Sequence, residues 1–386
     1  MLSLTVTAIG GGVLSLPYVC KLCGLVFGML LLISGYGATI WSFSLIISAD
    51  VATGGHKEFK DYILKCTNRK IYKVFDFTTI FYLYGGLVGY QIIISNLIQS
   101  AMNILEVDDP SQYRTYHIII ISLLVFPLCL PESVSAIRHA TFITLGAIFY
   151  TAILLIIQMF SSSVKKMYEN SKLELIKFDW GIFNAFGITF FAFTCQAGFY
   201  SAIDKLKKRD EAHKTRIAFR ACTINLFFYL TIILSGYLSS YSDTPDVIIS
   251  RTVPKEFNIP VMISQILISC GLCIGIPVNY FPLRKAIFNQ VFGNSQYTKK
   301  RAIIIAIIFS STSCALAIVL PSISSVLSIL GGFGCVTICF VVPMIAYINV
   351  LSERRAQTIL SYFLCSIVIG MGIGSCMSGF YSILRI

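Results

Sequence analysis

Three adjacent glycines, Gly10, Gly11 and Gly12, stand inside the run Ala8-Ile9-Gly10-Gly11-Gly12-Val13-Leu14-Ser15-Leu16-Pro17-Tyr18, which otherwise reads as a membrane-crossing helix. Hydrocarbon offers no water to an unpaired amide, so broken helix at membrane depth is tolerated only where it lines a cavity or is buried in protein. Glycine leaves helical dihedrals cheaply and bares N–H groups that can hold a carboxylate at a half-helix N-terminus. Secondary transporters use such breaks to present backbone groups to a substrate near the bilayer midplane. The competing reading is close helix packing through small residues, and Pro17 suits either. The triplet alone leaves both open.

Apolar residues make up 56% of the 386-residue chain and charged residues 12%. A soluble domain carries about 25% charged residues, so the expectation is an all-α membrane protein forming one transmembrane domain over 1–386. Apolar stretches place about eleven helices, at 2–20 (interrupted at the glycines), 24–49, 71–104, 116–131, 138–161, 179–206, 216–241, 258–288, 301–320, 322–350 and 357–383. The first stretch lacks the basic n-region of a signal peptide. Only nine residues precede Gly10, so the first half-helix is expected to be short, and a reduced or incomplete chain stays open.

The net charge of +12 is a topology signal. With the N-terminus in the cytosol, 21 Lys and Arg fall in cytosolic connections, chiefly 50–73, 205–220 and 284–301. Eight fall on the other face, which then holds the C-terminus. Basic residues scattered through short loops do not make the concentrated patch that nucleic acid requires. The expected setting is an integral multi-pass protein of a vacuolar, endolysosomal or plasma membrane. The 50–73 connection contains Phe59, Tyr62, Ile63 and Leu64 among polar residues, the pattern of a short amphipathic helix on the cytosolic surface.

Of 13 cysteines only Cys66 falls in a loop, so a disulfide framework is not implied. Cys20-x-x-Cys23 and Cys270-x-x-Cys273 lack the further ligands of a metal site and read as packing. No acid–base pair, activated nucleophile or metal set converges, so neither an enzyme, a metal nor a cofactor is indicated.

A second polar cluster falls in the middle of the aromatic-rich sixth helix: Phe191-Ala192-Phe193-Thr194-Cys195-Gln196-Ala197-Gly198-Phe199-Tyr200, between Asp179, in N-cap position, and the basic run Lys205 to Arg209. Polar groups at this depth face protein or water. The alternative is one helix-to-helix hydrogen bond from Gln196. No ionisable residue falls at mid-membrane: Asp50, Asp76, Glu132, Asp179, Asp204, His117 and His139 all lie at helix ends, so an intramembrane proton relay is missing. The clusters at Gly85, Gly86 and Gly89, at Gly331, Gly332 and Gly334, and at Gly370, Gly372 and Gly374 read as helix packing.

Taken together, these residues resemble the amino acid/auxin permease family, which includes sodium-coupled neutral amino acid transporters and yeast vacuolar amino acid transporters. The 10–18 run is similar to that family's first-helix signature, and Phe193 to Gln196 to its sixth-helix segment. Pro127-Leu128-x-Leu130 ahead of 133–141, Gly236-Tyr237-Leu238, Phe281-Pro282-Leu283-Arg284 and Leu320-Pro321 to Gly331 follow in the same order. The resemblance implies a LeuT-like fold, a 5+5 inverted repeat with broken helices 1 and 6 lining the substrate site. It implies that amides around Gly10, Gly11 and Gly12 hold a substrate α-carboxylate and that carbonyls near Phe193 and Thr194 accept its α-ammonium. Cys195 and Gln196 would shape the side-chain pocket, and Tyr90 in the third helix would close it. Where sodium-coupled relatives carry Asn in helix 1 and Thr in helix 8, this chain aligns Val6 and either Cys273 or Gly275. None of these offers a hard cation an oxygen-bearing side chain, so sodium coupling is not expected. Proton coupling and facilitated exchange stay open. The implied activity is transport of amino acids, neutral ones given the uncharged pocket, by alternating access. The rivals are an amino-acid sensor signalling through 50–73 or 205–220, and a channel or scaffold in which both breaks are structural.

Overall fold

The computed structural model describes residues 4–5, 10–131, 141–204, 210–292, 298–351 and 355–384. Among the described residues ten helices are long and apolar enough to cross a membrane. The first, Gly11–Ala52, is 42 residues long. Its α-helical part, Leu16–Ala52, is divided at Gly24, where φ is 83° and ψ 162°. The division yields α1, ending at Cys23, and α2, beginning at Leu25. The others follow as α3 (Arg69–Ile104), α4 (Arg114–Val125), α5 (Thr141–Phe160), α6 (Gly181–Ile203), α7 (Glu211–Tyr237), α8 (Asn258–Phe292), α9 (Lys299–Val319), α10 (Ile323–Leu351) and α11 (Arg355–Leu384). Eleven segments therefore stand where about eleven were expected. The α10 helix widens into π-helical turns over Leu330–Val341.

Side chains are distributed as a bilayer requires. Leu30, Ile33, Leu123, Phe160, Ile308 and Phe363 face outward and exposed, and with no water outside they are at home there. Inside, buried residues of α1, α3, α6, α7 and α8 form one core around Leu14, Ile92, Ile188, Tyr229 and Leu272. Several helices pack on partners five positions along the chain: the α1–α2 span lies on α7, α3 on α8, α4 on α9, and the 3-10 turn before α1 on α6, while α5 lies on α7 and α8. An inverted repeat of five helices places its symmetry-related members against each other in this way.

Small residues carry the closest approaches. Gly331 abuts the Gly187 carbonyl, Gly332 and Gly372 meet backbone to backbone, and Gly374 faces the Phe183 ring, tying α10, α6 and α11 together. In the third cluster Gly85 meets Leu330 and Gly89 meets Ile323, so each cluster packs through some of its members; a Cβ on Gly86 or Gly370 would meet nothing within 4 Å. Arginines close carbonyl ends: Arg114 donates to Ala317 and Leu320 at the end of α9, and Arg284 to Cys129 and Pro131 beyond α4.

The 50–73 connection does hold a short helix, Phe59–Cys66. Leu64 is exposed, but Phe59, Tyr62 and Ile63 turn into the protein, with Phe59 stacked on Tyr62 and edge-on to Phe75. Cys66, expected in a loop, is the buried last residue of this helix. All the cysteines are free thiols.

Candidate functional site

Gly10 is extended (φ −121°, ψ −168°), and Gly11–Ser15 then turns as a 3-10 helix before α-helix begins at Leu16. The Val13 amide donates to the Gly10 carbonyl at 3.2 Å. The first amides of any helix lack an acceptor within it. Here they belong to Gly11 and Gly12, and among the described residues nothing accepts from them. All five residues of the turn are buried, and the Ser15 hydroxyl beside them also finds no partner among the described residues.

Close approach explains why these positions are glycine. A Cβ on Gly12 would lie 2.8 Å from the Phe191 ring of α6. One on Gly11 would lie 3.0 Å from Ile93 of α3 and 3.3 Å from Leu272 of α8, and one on Gly10 would lie 3.6 Å from the Tyr90 hydroxyl. Tyr90 thus covers the first two glycines from α3. Its hydroxyl is met by Asn279 Nδ2 of α8 at 3.5 Å, and its ring lies against Gly275.

The sixth span is interrupted in the same region. Its first α-helical stretch, Gly181–Ala192, ends where Phe193 to Cys195 leave helical conformation; a 3-10 turn follows over Gln196–Gly198, and helix resumes at Phe199–Ile203. Side chains secure the break. Tyr229 of α7 donates to the Ala192 carbonyl at 2.8 Å and sets its ring edge-on to Phe193, centroids 5.0 Å apart. Thr194 Oγ1 donates back to the Phe190 carbonyl at 3.1 Å. No described residue donates to the Phe193 or Thr194 carbonyl. Tyr82 of α3 lies on the Phe191 ring, with centroids 5.5 Å apart.

The two breaks adjoin through the contact of Gly12 with Phe191. That brings Gly10, Gly11, Gly12 and Tyr90 together with Phe191, two residues before Phe193 and three before Thr194. Cys195 and Gln196 behave differently. Gln196 Oε1 accepts the Cys195 amide at 3.0 Å, and its Nε2 reaches Ser42 of α2 at 3.5 Å; Ser42 in turn donates to the Cys339 carbonyl of α10. Gln196 therefore makes the helix-to-helix bond weighed as the alternative and also braces its own break. Cys195 is buried beside Cys222 and Cys335. Phe191, Tyr229 and Tyr82 were not singled out from sequence. A phenol within the apolar stretch of α7 is the available signal for Tyr229; an apolar ring such as Phe191 gives none. Of the positions aligned with a sodium site, Val6 lies outside the described residues, and Gly275 faces the Tyr90 ring.

Eleven segments, partners five apart and two adjoining breaks define the class of LeuT-fold membrane proteins. The crystal structure of MhsT in complex with L-phenylalanine matches with a TM-score of 0.59 at 14% identity, covering 97% of both chains. The chain belongs to the family described as transmembrane amino acid transporter protein, whose model matches residues 1–385. It is 23% identical over 299 residues to vacuolar amino acid transporter 7 of Saccharomyces cerevisiae, covering 75% of this chain and 58% of that one. To vacuolar amino acid transporter 5 of Schizosaccharomyces pombe it is 22% identical over 347 residues, covering 89% and 82%. To vacuolar amino acid transporter 6 of S. cerevisiae it is 26% identical over 247 residues, covering 62% and 54%. The chain thus spans little more than half the length of the two S. cerevisiae relatives.

Proposed function

We propose that this protein carries neutral amino acids across a vacuolar or endolysosomal membrane by alternating access, without sodium coupling. The observation that carries the reading is the meeting of two helix interruptions, with unclaimed amides at Gly11 and Gly12 on one side and unclaimed carbonyls at Phe193 and Thr194 on the other. An amino acid presents the complementary pair, a carboxylate that accepts and an ammonium that donates. Tyr90 forms the cover over the glycines.

Charge argues for a neutral substrate. The ion pairs among the described residues, including Lys60 with Asp76 and Lys214 with Asp50, involve none of the residues that leave helix at either break. A charged substrate side chain would be buried there without a counter-ion, at a cost that water-exposed binding avoids. The names of the vacuolar relatives favour that membrane, and the excess of basic residues in 50–73 and 205–220 supports a cytosolic side for those connections and the N-terminus.

Purified protein in liposomes tests the reading. A carrier gives saturable uptake of a labelled neutral amino acid, accelerated by unlabelled amino acid on the opposite side. Saturable binding with no counterflow would select the sensor instead, and absence of both would leave only a scaffold.

A further inference from the structure

Away from the breaks, where α2 ends and α7 begins, a carboxylate is sealed inside the protein. Asp50 is fully buried, as is all but 3% of Lys214, whose Nζ donates to Asp50 Oδ2 at 2.6 Å. Tyr200 of α6 donates to Asp50 at 3.1 Å, and His56 Nδ1 pairs with it at 2.8 Å. A buried ion pair repays its desolvation only with further hydrogen bonds of this kind. Asp50 therefore has its partners in full.

A cleft of about 380 Å³ opens beside this cluster, within the size range of small-molecule sites. Every ionisable side chain lining it is basic: His56, Lys57 and Lys214. Asp50 does not line it. Gly54 and Gly55 form part of the wall with φ of 89° and 79°, and a Cβ on Gly54 would meet nothing within 4 Å. Lys214 is paired with Asp50 behind the wall, and neither glycine places a side chain in front of Lys57. His56 supplies an independent pointer. Its side chain is 6% exposed, and Nε2 is buried with no partner among the described residues. Because Nδ1 faces the Asp50 carboxylate it carries a hydrogen, so Nε2 donates only as the imidazolium. An unpartnered imidazole nitrogen beside two lysines makes this lining a receptor for a multiply charged oxyanion.

We propose that this cleft binds a phosphate group, received by Lys57, His56 Nε2 and Lys214, from either free phosphate or the headgroup of a phosphorylated lipid. Three nitrogen donors on one cleft suit a group with three strongly accepting oxygens. An anion seated there draws on two of the donors that hold Asp50, so occupancy is linked to the tie between α2, Tyr200 and the start of α7.

The full chain is placed in phosphatidylcholine nanodiscs and its Tm followed against inorganic phosphate, and separately in nanodiscs with increasing phosphoinositide. A saturable rise in Tm with either source is expected, the responding arm naming the source. Lys57→Gln removes an exposed side chain outside the Asp50 cluster and should raise the apparent Kd about tenfold, the loss of one charge-assisted hydrogen bond. No saturable rise from either source overturns the proposal. So does a rise that Lys57→Gln leaves unchanged, and that readout stands even if His56→Gln fails to fold. The measurement needs no transport, so its outcome is separate from that of the uptake assay.

Discussion

At Gly12 a single hydrogen atom stands where any other residue would place carbon 2.8 Å from the Phe191 ring. Overpacking of this kind costs about 1–3 kcal/mol, and here the Phe191 ring must shift to admit the added carbon. Gly12→Ala is expected to lower liposome uptake at least about tenfold while the protein remains monodisperse on gel filtration, since ~1.4 kcal/mol is already a factor of ten. Adding Phe191→Leu should recover part of the loss, and Gly86→Ala, which meets nothing within 4 Å, should leave uptake unchanged. Normal uptake in Gly12→Ala would remove the glycine triplet from the site. The triplet itself was plain in the sequence, because three glycines in an apolar helix have few uses. Phe191 was not, because one phenylalanine in an aromatic-rich helix announces nothing until its neighbour is known. Gln196 shows the reverse case: its polarity drew attention to it, yet its amide is spent on Cys195 and Ser42.

Among the elements, the junction of α1 and α2 depends on Gly24. Its φ of 83° is a conformation L-residues avoid by about 1–2 kcal/mol, and its Cβ would fall 2.7 Å from the Leu175 carbonyl. The segment after α5 is laid across this junction. Leu25 donates to Glu174 and Val26 to Leu175, both at 2.9 Å, while Lys177 donates to the Cys23 carbonyl at 3.1 Å. Backbone groups left open where one helix stops and the next starts are thereby paired. Gly24→Ala should lower Tm by several degrees, at about 2–4 °C per kcal/mol for a chain of this size or smaller, with the larger loss coming from displacement of 174–177. An unchanged Tm would mean that the strap tolerates the added carbon. Hydropathy gave the two helices their approximate limits, 2–20 and 24–49, but it could not show that a segment about 150 residues away completes their junction. Likewise the apolar pattern read 179–206 as continuous, and it was the family resemblance that broke it.

For the whole molecule, packing between helices five apart is what sets the two breaks side by side. The same geometry brings the α8 positions near α1, since Gly275 lies against Tyr90, which in turn covers Gly10 and Gly11. Neither Gly275 nor Cys273 carries a hard oxygen ligand. Uptake into liposomes is therefore expected to be the same in sodium and in choline medium; strict dependence on sodium would show a site built from other groups.

Composition, the rhythm of apolar stretches and the placement of lysine and arginine were enough to determine a bundle of about eleven helices in a membrane, because a bilayer rewards apolar length independently of what the helices touch. The glycine triplet marked where a break could stand, but left close helix packing equally open. Which groups stay unclaimed at the breaks, which polar side chains are consumed in bracing them, and that Asp50, Lys214, His56 and Tyr200 converge were decided only in three dimensions. Those outcomes depend on contacts between residues far apart in the chain, and local sequence carries no record of such distances.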